Sequence, residues 1–99
     1  MVRWCVKFEW DEKKNSSNIP KHHVSFEEAI EVFEDPLHIS KLDHRFSYFE
    51  ERWISIGATK NDKVLVVANI FFDDNGEEII RIISARKANA KEKDFYERH

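Results

Sequence analysis

The chain has 99 residues, of which 41% are hydrophobic, 13% are aromatic and 35% are charged. This length supports one compact domain, residues 1–99, and the aromatic content is too high for a disordered chain. No run approaches the roughly 18 apolar residues of a membrane helix, and we expect neither a membrane span nor a leader. A lone Cys5 excludes an intramolecular disulfide and a cysteine-based zinc site, and it fits a reducing cytoplasm. The net charge of −3 argues against indiscriminate nucleic-acid binding but permits a local basic site.

Residues 2–10 alternate between apolar and polar side chains, with Val2, Trp4, Val6, Phe8 and Trp10 on one side. Period two predicts a strand with one face on the core. A short polar helix is then expected from Glu12 to about Ile19, capped by Asp11. Pro20 is expected to end or kink this helix.

The next helix is specified by its start, its face and its end. Ser25 and Glu28 make a capping box. Asp35-Pro36 stops the helix, because the residue before proline avoids the helical region. The apolar face at helical spacing consists of Phe26, Ala29, Ile30 and Phe33.

The second half of the chain predicts a sheet. Residues 37–49 are irregular and indicate a loop that can include an edge strand, with Phe46, Tyr48 and Phe49 as candidate surface aromatics. Strands follow at about 51–58, 63–72 and 77–86, and turn residues join them into an antiparallel meander. The middle strand is apolar on both faces, as a central strand is. With a last helix in 87–99, the order β-α-α-β-β-β-α predicts an α+β fold in which helices pack on a small antiparallel sheet.

Arg81 is unusual within its strand, because simple alternation places it on the face of two isoleucines and Ala85. Such an arginine either serves as a rigidly held cation that binds phosphate, or it faces solvent or pairs with a carboxylate such as Glu51. Arg52 would converge with Arg81 on one sheet face if their strands flank the central strand. Two arginines there would favour a phosphate site.

Other candidate groups are weaker when taken one at a time. His22, next to Lys21, is a candidate general acid or base, since imidazole titrates near neutral pH, although a histidine taken alone more often has a surface or capping role. Ser84 lacks a nucleophile-activating neighbour and is interpreted as structural. Positive charge continues through Arg86 and Lys87 into the last helix, where a solvated helix face is the alternative. No metal-binding or nucleotide-binding motif is present, and neither a metal nor a cofactor is expected.

A series of short segments along the chain carries a more specific signature. In chain order they include Phe8-Glu9-Trp10-Asp11, Lys21-His22, Val24-Ser25-Phe26-Glu27-Glu28-Ala29, Glu51-Arg52-Trp53, Leu65-Val66-Val67 and Arg81-Ile82-Ile83-Ser84-Ala85-Arg86. Together they resemble the BrnT family of ribonuclease toxins, over nearly the whole chain. The resemblance implies a RelE-like fold and a bacterial, cytoplasmic endoribonuclease of a type II toxin–antitoxin pair, which inhibits growth by cutting RNA without a metal.

The resemblance also implies partners. A BrnA-like antitoxin with a ribbon-helix-helix DNA-binding part would cover the active face of the toxin, and the complex would repress its own operon. Operator DNA would therefore be reached only through the antitoxin, and no membrane is involved. The alternative is a catalytically weak or inactive homologue that acts as a protein partner of the DNA-binding antitoxin. A stand-alone RNA-binding domain without chemistry is a third possibility.

The family pattern assigns roles to residues of this chain. It implies catalytic positions at Lys21, His22, Arg52 and Arg81 and RNA contacts at Arg86, Lys87 and Tyr96. Within this pattern the arginines would stabilise phosphate, Lys21 or His22 would transfer protons, and Glu51 is a reserve base. The chain departs from the family at His23, where relatives usually have a glycine suited to a left-handed turn, and at Pro20.

Overall fold

The computed structural model describes residues 6–46 and 51–98. One helix packs on one face of a five-stranded sheet, a second lies along the last strand, and a third lies across the other face. The elements are β1 (Val6–Glu9), α1 (Glu12–His22), α2 (Phe26–Glu34), β2 (Ile39–Leu42), a short 3-10 helix (His44–Phe46), β3 (Trp53–Ala58), β4 (Val64–Asp74), β5 (Glu77–Lys87) and α3 (Ala90–Arg98).

The predicted α+β class and element order are confirmed, and β2 is the edge strand that the irregular segment allowed. The sheet order is β1-β5-β4-β3-β2. The last three strands form the predicted antiparallel meander, while β1 pairs parallel to β5 and makes the sheet mixed. The predicted strand positions 2–5, including Cys5, and the aromatic candidates Tyr48 and Phe49 lie outside the described residues.

The core forms between α2 and the adjacent sheet face. Ser25 caps α2 through its side chain, which accepts a hydrogen bond from the backbone N–H of Glu28. This is one half of the predicted capping box, and the Glu28 carboxylate pairs instead with Lys63 Nζ at 3.2 Å. The close approach of this helix to β3 requires Gly57, since a Cβ there would lie 3.0 Å from both the Val32 carbonyl oxygen and Cβ of His38. The fully buried apolar cluster is Val24, Phe26, Ala29, Val32, Leu65, Val67, Ile82 and Ala85.

The predicted helix from Glu12 to about Ile19 is too short, and Pro20 does not end α1. The helix continues through Pro20 to His22. It ends at His23, which adopts the left-handed conformation with φ of 60° and donates its backbone N–H to the Ile19 carbonyl at 2.7 Å. The extra turn therefore carries Lys21 and His22 on a helix.

A β-bulge in β5 changes which residues share a face with Arg81. Asn69 pairs with Ile82 and Ala68 with Ser84, so that Ile83 is the additional residue. After the bulge the alternation is inverted, and Ala85 is buried against the helices. The expectation that Arg81 shares a face with Ala85 is therefore wrong. Instead, Ser84 lies with Arg81 on the open sheet face, which is the face opposite α2.

Candidate functional site

A groove runs between α1 and β5, and we call it the lysine groove. It exists because α1 presents polar side chains at helical spacing toward the bulged part of β5. Its lining consists of Lys13, Lys14, Ser17, Asn18, Lys21, His22, Ile83 and Ser84. The predicted proton carriers Lys21 and His22 thus lie together in one site.

A second depression, which we call the arginine depression, lies on the open sheet face. It is lined by Asp43, Arg45, Arg52, Ile54, Val66, Ala68, Ser84 and Arg86. Arg45 pairs with Asp43, its Nε lying 3.0 Å from Oδ1. Hydrogen bonds from Arg45, helped by the positive charge of Arg52, hold the pKa of Asp43 below its ordinary value. A carboxylate that stays ionised is thereby kept beside the cations.

Ser84 lines both depressions, and it joins the two groups of predicted residues. The bulge at Ile83 places this exposed serine on the same sheet face as Arg81. Lys21 and His22 line one of these depressions together with Ser84, and Arg52 and Arg86 line the other. Cations and candidate proton carriers thus border one small exposed side chain, an arrangement that suits a phosphodiester.

Arg81 lies on the same open face but lines neither of these two depressions. Its Nε and Nη2 donate to Glu9 Oε2 at 3.1 and 3.0 Å, and the guanidinium carbon lies 5.3 Å from the Phe72 ring centroid. Pairing with a carboxylate was one of the alternatives from the sequence, and the partner is Glu9 and not Glu51. Arg81 and its partner are 47% and 42% exposed, so solvent screens the pair and an anionic ligand can compete for the arginine.

The three predicted RNA contacts lie in different surroundings. Arg86 makes a bidentate pair with Glu92 of α3, with both N–O distances at 2.7 Å. This pair raises the pKa of Arg86 and lowers that of Glu92. Lys87 ends β5 and is exposed. The hydroxyl of Tyr96 in α3 donates a hydrogen bond to Asp35, and neither residue lines the two depressions.

The pair of Tyr96 and Asp35 anchors α3. Burial, the hydrogen bond to Asp35 and the negative charge of that carboxylate raise the pKa of Tyr96 to about 12. Burial acts to raise the pKa of Asp35 as well, but hydrogen bonds from Tyr96 and from the backbone N–H groups of Ala58 and Leu37 outweigh it and lower the pKa. The neutral phenol and the ionised carboxylate are therefore the forms that the fold favours.

Several residues of the site were missed from the sequence. Lys13, Ser17 and Lys21 stand at i, i+4 and i+8 of α1, a helical spacing that could have indicated their shared face. Ser84 gave no comparable signal, because its position depends on the bulge. Within residues 6–46 and 51–98, no group of three or more His, Cys, Asp or Glu side chains could hold a metal ion. None of the described helices has the length and apolar character to span a bilayer.

The chain was compared with known proteins. The family model described as "Ribonuclease toxin, BrnT, of type II toxin-antitoxin system" matches residues 10–92. The crystal structure of the Brucella abortus ribonuclease toxin BrnT is similar at 26% sequence identity and a TM-score of 0.57, over 86% of this chain and 97% of that chain. Comparison with curated protein sequences gives no match.

These findings confirm the resemblance that the sequence segments indicate. The family match includes Lys21, His22, Arg52, Arg81 and Arg86, and it spans most of the chain. The structural similarity agrees with the same α+β architecture. The chain therefore belongs to the BrnT family of ribonuclease toxins of type II toxin–antitoxin systems.

Proposed function

We propose that this chain is an active endoribonuclease toxin that cleaves RNA without a metal ion. Membership in a ribonuclease toxin family supports the reaction class. The observation that carries the proposal is the position of Ser84, which the lysine groove and the arginine depression share. A scissile phosphate beside this serine would meet proton carriers on one side and arginines on the other.

The chemistry needs few groups. The ribose 2′-oxygen attacks the adjacent phosphorus, a base takes the 2′-OH proton, and an acid gives a proton to the leaving 5′-oxygen. The products are a 2′,3′-cyclic phosphate and a 5′-OH end. Cations stabilise the additional charge of the pentacoordinate transition state.

Each role has a candidate in this chain. Lys21 and His22 are the proton carriers, one as base and the other as acid. Arg52 binds the phosphate, for which a planar guanidinium is well suited. Arg81 is the second phosphate-binding arginine. Its guanidinium releases the Glu9 carboxylate and binds the substrate phosphate in its place. Glu51, exposed just before β3, remains the reserve base.

The partner that we propose is a BrnA-like antitoxin with a ribbon-helix-helix part, through which alone the toxin reaches operator DNA. Family membership supports an antitoxin. An apolar depression beside the arginine depression, with which it shares Ile54 and Val66, would serve as a contact surface. Phe95 of α3 borders it and is 39% exposed. We place the encounter with RNA and antitoxin in the bacterial cytoplasm.

The test is incubation of the purified chain with a defined RNA in excess EDTA. We expect cleavage that leaves 5′-OH ends. Arg52→Ala should reduce the cleavage rate by about 100-fold, because one transition-state contact is lost. His22→Ala should reduce it comparably, since a proton carrier is removed.

Arg98→Ala is the matched control, since Arg98 pairs with Asp94 on α3 and lines neither depression. Intact RNA with folded wild-type protein in EDTA would contradict metal-independent cleavage by the isolated chain. Cleavage that persists in Arg52→Ala at the rate of the Arg98→Ala control would contradict the phosphate assignment. Growth arrest on expression, lost in Arg52→Ala, would extend the result to the cell.

The alternative is a weak or inactive homologue that acts only as an antitoxin partner. The observation that favours it is the pairing of Arg81 with Glu9 and of Arg86 with Glu92, which compensates both cations. This alternative predicts tight antitoxin binding without growth arrest. Expression alone, with and without the antitoxin, separates the two functions.

A further inference from the structure

The lysine groove carries more positive charge than proton transfer requires. Lys13 and Lys14 line it in addition to Lys21 and His22, and no carboxylate is among the described residues of its lining. Proton transfer at one phosphate accounts for two of these groups at most. The other two cations need a separate explanation.

The lysines differ from the arginines of the site in their pairing. Arg45, Arg81 and Arg86 each have a carboxylate partner. Within the described parts of the chain, the ammonium groups of Lys13, Lys14 and Lys21 make no such ion pair. The lysine groove thus offers an anion positive charge that no carboxylate among its described lining residues compensates.

The acidic residues at the start of α1 do not neutralise these lysines. Asp11 caps the helix by accepting from the backbone N–H of Lys13 at 2.9 Å. Glu12 accepts from Trp10 Nε1 and from Asn15 Nδ2, each at 3.0 Å. Both carboxylates are therefore engaged by other groups.

The spacing of the lysines along α1 indicates which kind of anion the lysine groove binds. Lys14 and Lys21 are seven residues apart, which corresponds to about 10 Å along the helix axis. With extended side chains the ammonium groups are spaced for successive phosphates of a chain rather than for one small anion. The groove also continues past Ser84 into the arginine depression, so a strand lying in it would lead directly to the proposed scissile phosphate.

We propose that Lys13 and Lys14 form an RNA-binding subsite that holds the phosphates on one side of the cleaved bond. The inference rests on the proposed function, because it deepens the same site by naming where the flanking RNA lies. The two lysines position the strand, and the proton-transferring groups lie about two turns further along α1. Their removal weakens RNA binding and raises KM, while kcat is retained.

The experiment measures binding of 2′-O-methyl RNA oligonucleotides, which keep every phosphate but lack the attacking hydroxyl. Fluorescence anisotropy compares wild type, the double variant Lys13→Gln/Lys14→Gln and the control Lys60→Gln/Lys93→Gln, which changes charge equally at exposed positions outside both depressions. We expect the subsite variant to bind an oligonucleotide of about ten nucleotides at least about tenfold more weakly than the control. The slope of the logarithm of its binding constant against the logarithm of salt concentration should decrease in magnitude by about 1.4, because two contacts to a single strand are lost.

The length of the oligonucleotide provides the second readout. Extension of a short oligonucleotide of about four nucleotides should strengthen binding to wild type and to the control, but much less to the subsite variant. Equal affinities of the subsite variant and the control, or no RNA binding by wild type, would overturn the subsite. Because these oligonucleotides cannot be cleaved, that result is independent of the cleavage assay in EDTA, which alone decides the proposed function.

Discussion

Asn18 of α1 and Ala85 of β5 are joined by two hydrogen bonds that replace a missing strand partner. Asn18 Nδ2 donates to the Ala85 carbonyl at 2.8 Å, and Oδ1 accepts from the Ala85 N–H at 3.3 Å. The same Nδ2 donates to the Val24 carbonyl at 2.8 Å. Because β1 pairs with β5 only as far as Arg81, this side chain occupies the strand edge and fixes α1 next to the bulge. The lysine groove depends on that attachment.

Asn18→Ala is therefore expected to destabilise the fold. The change leaves the backbone groups of Ala85 and the Val24 carbonyl without this partner in a buried place. We expect a loss of about 3 kcal/mol in the free energy of unfolding, measured by urea denaturation. Asn61→Ala, at an exposed turn position, should change it by less than about 0.5 kcal/mol. Equal stabilities of the two variants would show that the attachment is not structural.

Ser84→Trp should block the site without unfolding the chain. Ser84 is exposed on β5, and tryptophan is well accepted in strands. The indole would fill the space that both depressions share, so RNA affinity should fall by at least about tenfold. Ser16→Trp, on an exposed face of α1 outside both depressions, is the matched control and should bind normally. Normal binding by Ser84→Trp would place the RNA elsewhere.

The pair of Arg81 and Glu9 gives opposite predictions for its two members. Arg81→Ala should lower the cleavage rate by about 100-fold if the guanidinium stabilises the transition state. Glu9→Gln releases the arginine and should strengthen RNA binding by about threefold, as suits a solvent-screened pair. Glu77→Gln, which changes the pair with Lys7 at the same sheet edge, controls for net charge. Full cleavage by Arg81→Ala would remove Arg81 from the mechanism.

The contact of Tyr96 with Asp35 predicts a pH dependence of stability. The pKa of Tyr96 is raised to about 12 in the fold, so its contribution is complete below the ordinary phenol pKa and is lost as pH rises from about 10 to about 12. The pKa of Asp35 is lowered, so its contribution is complete above the ordinary carboxyl pKa and is lost as pH falls through the lowered value.

Thermal unfolding of Tyr96→Phe against wild type measures this contribution. The variant should be less stable near neutral pH, because Asp35 loses a hydrogen-bond donor. The difference between the two proteins should shrink above pH of about 10, since wild type then loses the same bond. A constant difference across that range would contradict the assignment. Tyr96→Phe should leave RNA affinity unchanged if Tyr96 serves only to anchor α3.

His23→Gly should stabilise the chain. His23 ends α1 in the left-handed conformation, which costs a residue with a Cβ about 1 kcal/mol relative to glycine. We expect a gain of up to that size in urea denaturation. Ser16→Gly within the same helix should instead lose about 0.5–1 kcal/mol, because glycine weakens helix interiors. Loss of stability in His23→Gly would mean that the imidazole makes a compensating contact.

The sequence by itself determined the elements that depend on neighbouring residues. Backbone chemistry within a few positions sets the cap at Ser25, the stop at Asp35-Pro36 and the Asn75-Gly76 turn. Both residues of that turn have positive φ. Alternation and helical spacing then defined the order of strands and helices. The motif segments indicated the family, because the resemblance consists of particular residue types in a particular order, which can be compared without the structure.

Only the tertiary structure decided how the site is assembled. The bulge at Ile83 inverts the faces of β5, and Asn18 bonds Ala85 across 67 residues. Glu9 reaches Arg81 across 72 residues, because β1 pairs in parallel with β5. None of these contacts has a local pattern, since each depends on which strands and helices become neighbours once the apolar faces are buried. For the same reason Ser84, ordinary in the sequence, becomes the residue that the lysine groove and the arginine depression share.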